Sequence, residues 1–301
     1  MFESLLTDLR HALPALTVLS DAPMAEHCSF RIGGPAGALA LPRSAEELTA
    51  LCQFLHQKGV EPFIMGNGTN LLVTDGRFDR FVLKCCDGVG AVRVEGDTVT
   101  ADCGATLAHV ASVALEHDLT GLEFAHGIPG SIGGAVSMNA GAYGGEMKDV
   151  VCRTEYLDAD GTLQAVEGEA HDFAYRHSVF SDRDCLVLRT SMKLAQGRHE
   201  DIAAKMRELG AKRRASQPLD MPSAGSTFKR PVGGYAAALI DEAGLKGFRI
   251  GGAQVSEKHA GFVVNAGGAR FDDVLRLMEH IQKTVYERSG IELTPEVKII
   301  H

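Results

Sequence analysis

The chain has 301 residues, 45% hydrophobic and 23% charged, with a net charge of −9. At roughly 150 residues per domain this is an ordinary globular makeup with two domains or more. Its acidity gives no electrostatic case for binding nucleic acid or an anionic membrane, so an anionic ligand must be held by local cations.

The seven cysteines are an odd set with no C-x-x-C spacing, which argues against a disulfide framework or a structural zinc site. The first twenty residues are broken by Glu3, Asp8, Arg10 and His11, so they lack a signal-peptide core. No apolar run is long enough to span a bilayer. A reducing cytoplasm is the expected compartment, with no membrane insertion.

In chain order, residues 44–59 read as a helix. Ser44 and Glu47 form a capping box, Leu48, Leu51, Cys52 and Leu55 make the apolar stripe, and Gly59 sits at the C′ position. Residues 62–65 and 71–73 are short apolar runs, expected as buried strands. Residues 92–100 alternate around Gly96-Asp97, a two-residue hairpin signal. A helix is expected over 105–118, a hairpin over 151–166 turning at 158–161, and a strand over 185–194.

Residues 200–216 are charged and helical. Helices follow at 235–243 and 272–289, ended by Gly244 and Gly290, with strands at 261–265 and 296–300. The fold class is α+β, with a boundary near residue 197.

The densest signal is the stretch Gly127–Glu146, which holds seven glycines where average usage of about 7% would place one or two. Glycine lets backbone approach a ligand closely, and successive N–H groups can cradle phosphate. Ile128, Ile132, Val136 and Met138 are embedded in it, so it reads as a packed loop against a large phosphate-bearing ligand, not a linker. Gly66-Asn67-Gly68-Thr69-Asn70 is a second candidate loop. It fails as a dinucleotide-binding fingerprint because a strand, not a helix, follows it. Its plain alternative is a tight turn with Asn and Gly at positive φ.

A third glycine-containing turn, 223–231, places Ser226 before Lys229 and Arg230, and by itself reads as a surface turn. No G-x-S-x-G elbow is present. Arg176 and Glu296 taken singly read as solvated side chains, and His259 reads equally as a catalytic group or a packed loop residue. The twelve histidines have no metal-binding spacing, so no catalytic metal is expected.

Together the motifs carry a resemblance. His27-Cys-Ser-Phe-Arg-Ile-Gly-Gly-Pro-Ala36, the 66–72 loop, Gly127-Ile-Pro-Gly-Ser-Ile-Gly-Gly-Ala135, Tyr175-Arg-His-Ser178, Pro222-Ser-Ala-Gly-Ser226, residues 251–262 and Pro295-Glu-Val297 occur in that order. The chain closely resembles the UDP-N-acetylenolpyruvoylglucosamine reductase family over nearly its whole length.

The resemblance implies a two-lobed FAD-binding domain of the vanillyl-alcohol-oxidase type (lobes 1–90 and 91–197) and a smaller α+β substrate domain over 198–301. It implies non-covalent FAD, contacted by Arg31, by Gly66, Asn67, Gly68, Thr69 and Asn70, and by Gly127, Pro129, Gly130, Ser131, Gly133, Gly134 and Ala135. Hydride would pass from NADPH to the flavin and then to the terminal enolpyruvyl carbon of UDP-N-acetylglucosamine enolpyruvate.

Arg176 and Glu296 would stabilise charge spreading into the substrate carboxylate, and Ser226 would protonate the adjoining carbon. Tyr143, Tyr175, Arg213, Arg214, Lys229 and Arg230 are the candidates for the UDP-sugar and carboxylate. Arg230 stands where many members carry Asn, Cys28-Ser29 replaces Asn-Thr, and Thr69 replaces Ser. The chain is similar to the short form of the family, without the inserted loop that supplies a substrate-covering tyrosine.

Two other classes compete. A sugar or hydroxy-acid oxidase on the same FAD domain would consume oxygen and release peroxide. A non-enzymatic nucleotide-binding module would show no hydride chemistry.

Overall fold

The structure is a computed structural model that describes residues 2–181 and 183–301. The chain divides into two compact units. The first holds residues 1–20, 37–67 and 80–212; the second holds 21–36, 68–79 and 213–301.

In the first unit, helix α1 (Glu3–Ala12) precedes a four-stranded sheet with the order Thr17–Ser20, Ala36–Leu41, Phe78–Lys84, Phe63–Met65. The first two strands run antiparallel and the last two parallel. Helix α2 (Ala45–Gln57) starts where the Ser44 hydroxyl accepts the Glu47 N–H at 3.1 Å, and Gly59 follows it at φ +65°. Leu48, Leu51 and Leu55 are fully buried, and each contributes up to about 1.5–3 kcal/mol by leaving water.

A five-stranded antiparallel sheet follows, in the order Leu163–Glu167, Val151–Leu157, Leu186–Lys193, Thr98–Asp102, Val92–Glu95. Gly96, at φ +62°, makes the expected hairpin turn. Helix α3 (Leu107–Glu116) is capped by Thr106, whose hydroxyl accepts the His109 N–H. One continuous apolar core joins both sheets, α2 and α3.

The glycine-rich stretch contains an element that its composition hides. Helix α4 (Ile132–Ser137) forms despite Gly133 and Gly134, which cost roughly 1 kcal/mol each in a helix interior. Tertiary bonds hold its start, because the Ile132 N–H donates to the Ala105 carbonyl and the Gly133 N–H to the Cys103 carbonyl. The long helix α5 (His199–Ser216) closes the unit at Lys212.

The second unit has its own core around helices α6 (Ala236–Glu242) and α7 (Phe271–Ser289). Val274, Leu277, Met278, Ile281 and Val285 of α7 are buried, as their spacing predicts. Asp75 accepts the first α7 N–H, of Phe271, at 2.8 Å, and Asp273 accepts the Gly252 and Arg270 N–H groups. Those backbone donors, Gly252 first, hold the Asp273 carboxyl below the usual range. A three-stranded antiparallel sheet joins Arg249–Ile250, Ala253–Val255 and Val263–Asn265. The strands Leu71–Val73 and Lys298–Ile300 pair in parallel.

The compact units do not follow the boundaries expected at 90 and 197. The first runs on to Lys212, and the second recruits 21–36 and 68–79. Phe30, Ile32 and Leu72 are buried in the second core, which ties these short segments to the C-terminal part. All seven cysteines are free thiols. Burial pushes the Cys52 thiol up to about 12 and Cys185 to about 11, as expected of packed, unreactive groups.

Candidate active site

Two backbone turns of the first unit touch at the glycine loops. Gly66 lies under the Ser131 hydroxyl, so closely that a Cβ there would overlap it. On α4, Gly133 packs against Cys103, whereas Gly134 is exposed and faces nearly open space. Gly130, at φ +137°, leads into the helix, and its carbonyl accepts the Leu107 N–H. Bare backbone at Gly66, Gly130 and Gly134, rising from a packed floor, fits a diphosphate that needs close main-chain approach. The residues present therefore fit FAD. Gly127, Pro129 and Ala135 belong to the same stretch, with Ala135 buried and Pro129 exposed.

The same unit carries two tight turns that hold bulky residues in the left-handed region. In the hairpin of Gly141–Ala142 with Gly145–Glu146, Tyr143 has φ +54° and Gly144 φ +90°. Such turns favour Asn-Gly, so a tyrosine there is strained. In the second turn, Ala174 pairs with His177 across Tyr175 and Arg176, and Arg176 has φ +55°. The Arg176 guanidinium lies 5.3 Å from the Tyr175 ring centre, a cation–π contact. Tyr143 and Tyr175 are both exposed. Strain of about 1–3 kcal/mol per residue persists only where the surroundings enforce it, and it concentrates at functional sites.

In the second unit, Ser226 and Glu296 are brought together by the backbone. The Glu296 N–H donates to the Thr227 carbonyl at 2.8 Å, Phe228 bridges Pro295, and the Lys229 N–H donates to the Thr294 carbonyl. From the other side, the Thr227 N–H donates to the Gly261 carbonyl, and the Thr227 hydroxyl accepts the Val263 N–H at 2.9 Å. Asn70 joins this weave, since its side-chain amide donates to the Glu296 carbonyl and its own carbonyl accepts the Lys298 N–H.

The 66–70 loop passes from one unit to the other between Asn67 and Gly68. Gly68 alone of its Asn and Gly residues has positive φ, +63°. Its carbonyl accepts the Ser29 N–H, and the Ser29 hydroxyl reaches the Ser223 carbonyl at 2.6 Å. Thr69 is half-buried and Arg31 exposed, the latter at φ +56°.

The remaining candidates differ in setting. Arg213 is buried and Arg214 exposed on the last turn of α5, where the Arg214 carbonyl accepts the Lys258 ammonium at 2.6 Å. Lys229 is half-buried. The Arg230 guanidinium stacks over the Tyr235 ring at 4.0 Å. His259 is packed, with Nδ1 accepting the Gly261 N–H and the ring edge-on to Phe262. Burial lowers its pKa.

One group escaped the sequence reading. Asn139 is buried, has φ +45°, and is bonded to the surroundings of both strained turns. Its only sequence signal is its type, since Asn tolerates left-handed backbone better than other side-chain-bearing residues. Among the described residues no group of three or more His, Cys, Asp or Glu could hold a metal ion, and no helix is long and apolar enough to cross a membrane.

Comparison with known proteins agrees with the two halves of the fold. Residues 36–167 match the profile described as an FAD binding domain. Residues 217–300 match that of the UDP-N-acetylenolpyruvoylglucosamine reductase C-terminal domain. The UDP-N-acetylenolpyruvoylglucosamine reductase of Caldanaerobacter subterraneus subsp. tengcongensis is 50% identical over 300 residues, covering 100% of this chain and 99% of its own. That of Enterococcus faecalis is 45% identical over 288 residues, covering 96% of each.

The crystal structure of the Thermus caldophilus reductase superposes with a TM-score of 0.80 at 33% identity, covering 95% of this chain and 99% of that one. The grass pollen allergen Phl p 4 shares the FAD-domain fold at a TM-score of 0.50 and 15% identity, over 64% of this chain and 44% of its own. The fold is thus α+β, a two-lobed FAD-binding domain with a smaller C-terminal α+β part. The chain belongs to the UDP-N-acetylenolpyruvoylglucosamine reductase family and is an FAD-dependent oxidoreductase.

Proposed function

We propose that the protein reduces the enolpyruvyl group of UDP-N-acetylglucosamine enolpyruvate to UDP-N-acetylmuramate, a step of peptidoglycan synthesis, with NADPH as hydride donor. The observation that carries the reading is the backbone pairing of Thr227 with Glu296, which sets Ser226 and Glu296 on neighbouring segments of the second unit. Family membership supports the substrate class, and seven free thiols fit a reducing, cytoplasmic setting.

The chemistry that FAD supplies when bound is hydride relay, from NADPH to the terminal enolpyruvyl carbon. The protein's own groups handle the charge and the proton. Negative charge then develops on the adjoining carbon and spreads into its carboxylate. Arg176 meets that carboxylate as a planar cation whose fork can bind both oxygens. Glu296 assists as a protonated acid or paired with a cation, since a bare carboxylate would repel the charge.

Ser226 delivers its hydroxyl proton to the carbanionic carbon, completing addition across the double bond. A free serine is a weak acid, so the alkoxide left behind is reprotonated through Lys229 or a water. The UDP moiety needs cations on an acidic protein, and Arg213, Arg214, Lys229 and Arg230 supply them in one segment of chain.

An anaerobic visible spectrum tests the reading. NADPH should bleach the flavin band of the purified protein, and UDP-N-acetylglucosamine enolpyruvate should restore it. Bleaching without recovery would remove the substrate but keep the flavoenzyme. Absence of a flavin band even after added FAD would remove the cofactor assignment.

A further inference from the structure

Asn139 spends every polar atom of its side chain on the two strained turns and the link after them. Its amide nitrogen donates to the Glu146 carboxylate at 3.0 Å and to the Ala174 carbonyl at 3.0 Å, and its amide oxygen accepts the Lys148 N–H at 2.9 Å. Glu146 ends the hairpin that carries Tyr143, and Ala174 opens the turn that carries Arg176. One buried side chain therefore spans both turns. The Ala174 carbonyl also accepts the His177 N–H at 3.2 Å, so Asn139 bonds the very group that closes the Arg176 turn.

Two serines reinforce the link. The Ser178 and Ser181 hydroxyls both donate to the Ser137 carbonyl, two residues before Asn139. A satisfied buried polar network of this kind fixes geometry more than it adds stability. Bonds to Glu146 and Ala174 need a two-proton donor, and the bond from Lys148 needs an acceptor on the same planar group. Among short side chains only Asn offers both while also tolerating φ +45°.

We infer that Asn139 is a positioning residue for the reductive step: it clamps the Tyr143 and Arg176 turns together and thereby fixes where the Arg176 guanidinium meets the substrate carboxylate. This rests on the reading of Arg176 given above. A group misplaced by about 1 Å can cost on the order of 10²-fold in rate.

Asn139→Asp keeps the shape and the backbone tolerance but replaces the donor with a carboxylate facing Glu146 and the Ala174 carbonyl. Stopped-flow spectra of this variant, carrying FAD, should show bleaching by NADPH at the wild-type rate and recovery by the enolpyruvyl substrate slowed about 10- to 100-fold. Asn139→Gly, which removes the clamp without adding charge, should show a smaller slowing of recovery alone. Glu146→Gln alone should react like wild type. Added to Asn139→Asp it offers a donor to the new carboxylate, and it should restore part of the recovery rate.

Combination with Arg176→Ala separates the clamp from the reading beneath it. If Arg176→Ala recovers at the wild-type rate, the role of Arg176 fails. If Arg176→Ala is slow and Asn139→Asp is not, the clamp fails. If both are slow and their effects multiply in the double variant, Asn139 acts elsewhere and the clamp again fails; a double variant no slower than Arg176→Ala supports it. Equal slowing of bleaching and recovery, or variants at Asn139 that retain no flavin, would mark a general fold determinant and overturn the proposal.

Discussion

The two places that hold the proposed reacting groups are built in different ways. Ser226 and Glu296 sit in a weave of main-chain bonds, with Thr227 bonded to Glu296 and Gly261, and Lys229 to Thr294. Arg176 sits in a strained turn closed by main-chain bonds between Ala174 and His177 and pinned to its surroundings by side chains, Asn139 on Ala174 and Ser178 and Ser181 on Ser137. A woven frame survives the loss of any one side chain, because peptide groups do not mutate. A pinned frame depends on each pin. The first suits a group that must stay reachable and replaceable in the cycle, such as a proton donor. The second suits a cation that must be held off its relaxed geometry.

The largest expected effect lies on the woven side. Ser226→Ala should leave folding and NADPH bleaching unchanged and slow recovery by the enolpyruvyl substrate about 10²–10⁴-fold, the range for losing a general acid. An unchanged recovery rate would dismiss Ser226 as the donor. A matching collapse in thermal stability would instead break the contrast between the two frames.

Thr227 offers a finer cut, because its hydroxyl is the side-chain strand of the weave. Thr227→Val removes the acceptor of the buried Val263 N–H and should cost about 1–3 kcal/mol in urea unfolding. Turnover per folded molecule should stay within a few-fold of wild type. A rate loss far beyond the stability loss would mean that this frame, too, hangs on individual side chains.

The smallest effect concerns a titratable pin on the other side. His171 is buried, bonded to the Gly168 carbonyl and the Thr154 hydroxyl, and stacked on Phe173, and its carbonyl accepts the Val179 N–H beyond the Arg176 turn. Burial lowers its pKa below the ordinary 6.5. The unfolded chain therefore binds this proton more readily than the folded one. The stability it contributes is complete above pH 6.5 and is lost as pH falls through the lower folded value. Thermal melts at pH 8 and pH 5.5 should show a larger acid-side drop for wild type than for His171→Asn. Equal drops would remove His171 from the pH response. His259 shifts in the same direction and remains in both proteins, so the comparison isolates one group.

Much of the local structure was legible. Helices α2 and α7, the hairpin at Gly96 and the turns ending at Gly161, Gly244 and Gly290 follow from capping, periodicity and positive-φ glycine. Helix α4 was not, because Gly133 and Gly134 argue against a helix and the bonds that overrule them come from Ala105 and Cys103, about thirty residues away. The extent of the second unit was also hidden. Phe30 and Ile32 look like isolated apolar residues in their own neighbourhood, the run that holds Leu72 does not name its partner, and all three pack against residues some two hundred positions on. The nearness of Ser226 to Glu296 came from family resemblance, since no periodicity links positions so far apart. Asn139 went unnoticed because its meaning lies in three bonds and not in its neighbours.

The second unit is stitched from three separate stretches, with Leu71–Val73 paired in parallel to Lys298–Ile300. On the ribosome, chains fold from the N-terminus as they emerge, at roughly 5–20 residues per second. Here residues 21–36 must wait for some two hundred further residues before their packing partners are made, and Leu71–Val73 for a similar number before it finds its strand. For those seconds Phe30, Ile32 and Leu72 stand uncovered, so the nascent protein carries its own hazard of clumping until Lys298–Ile300 is synthesised.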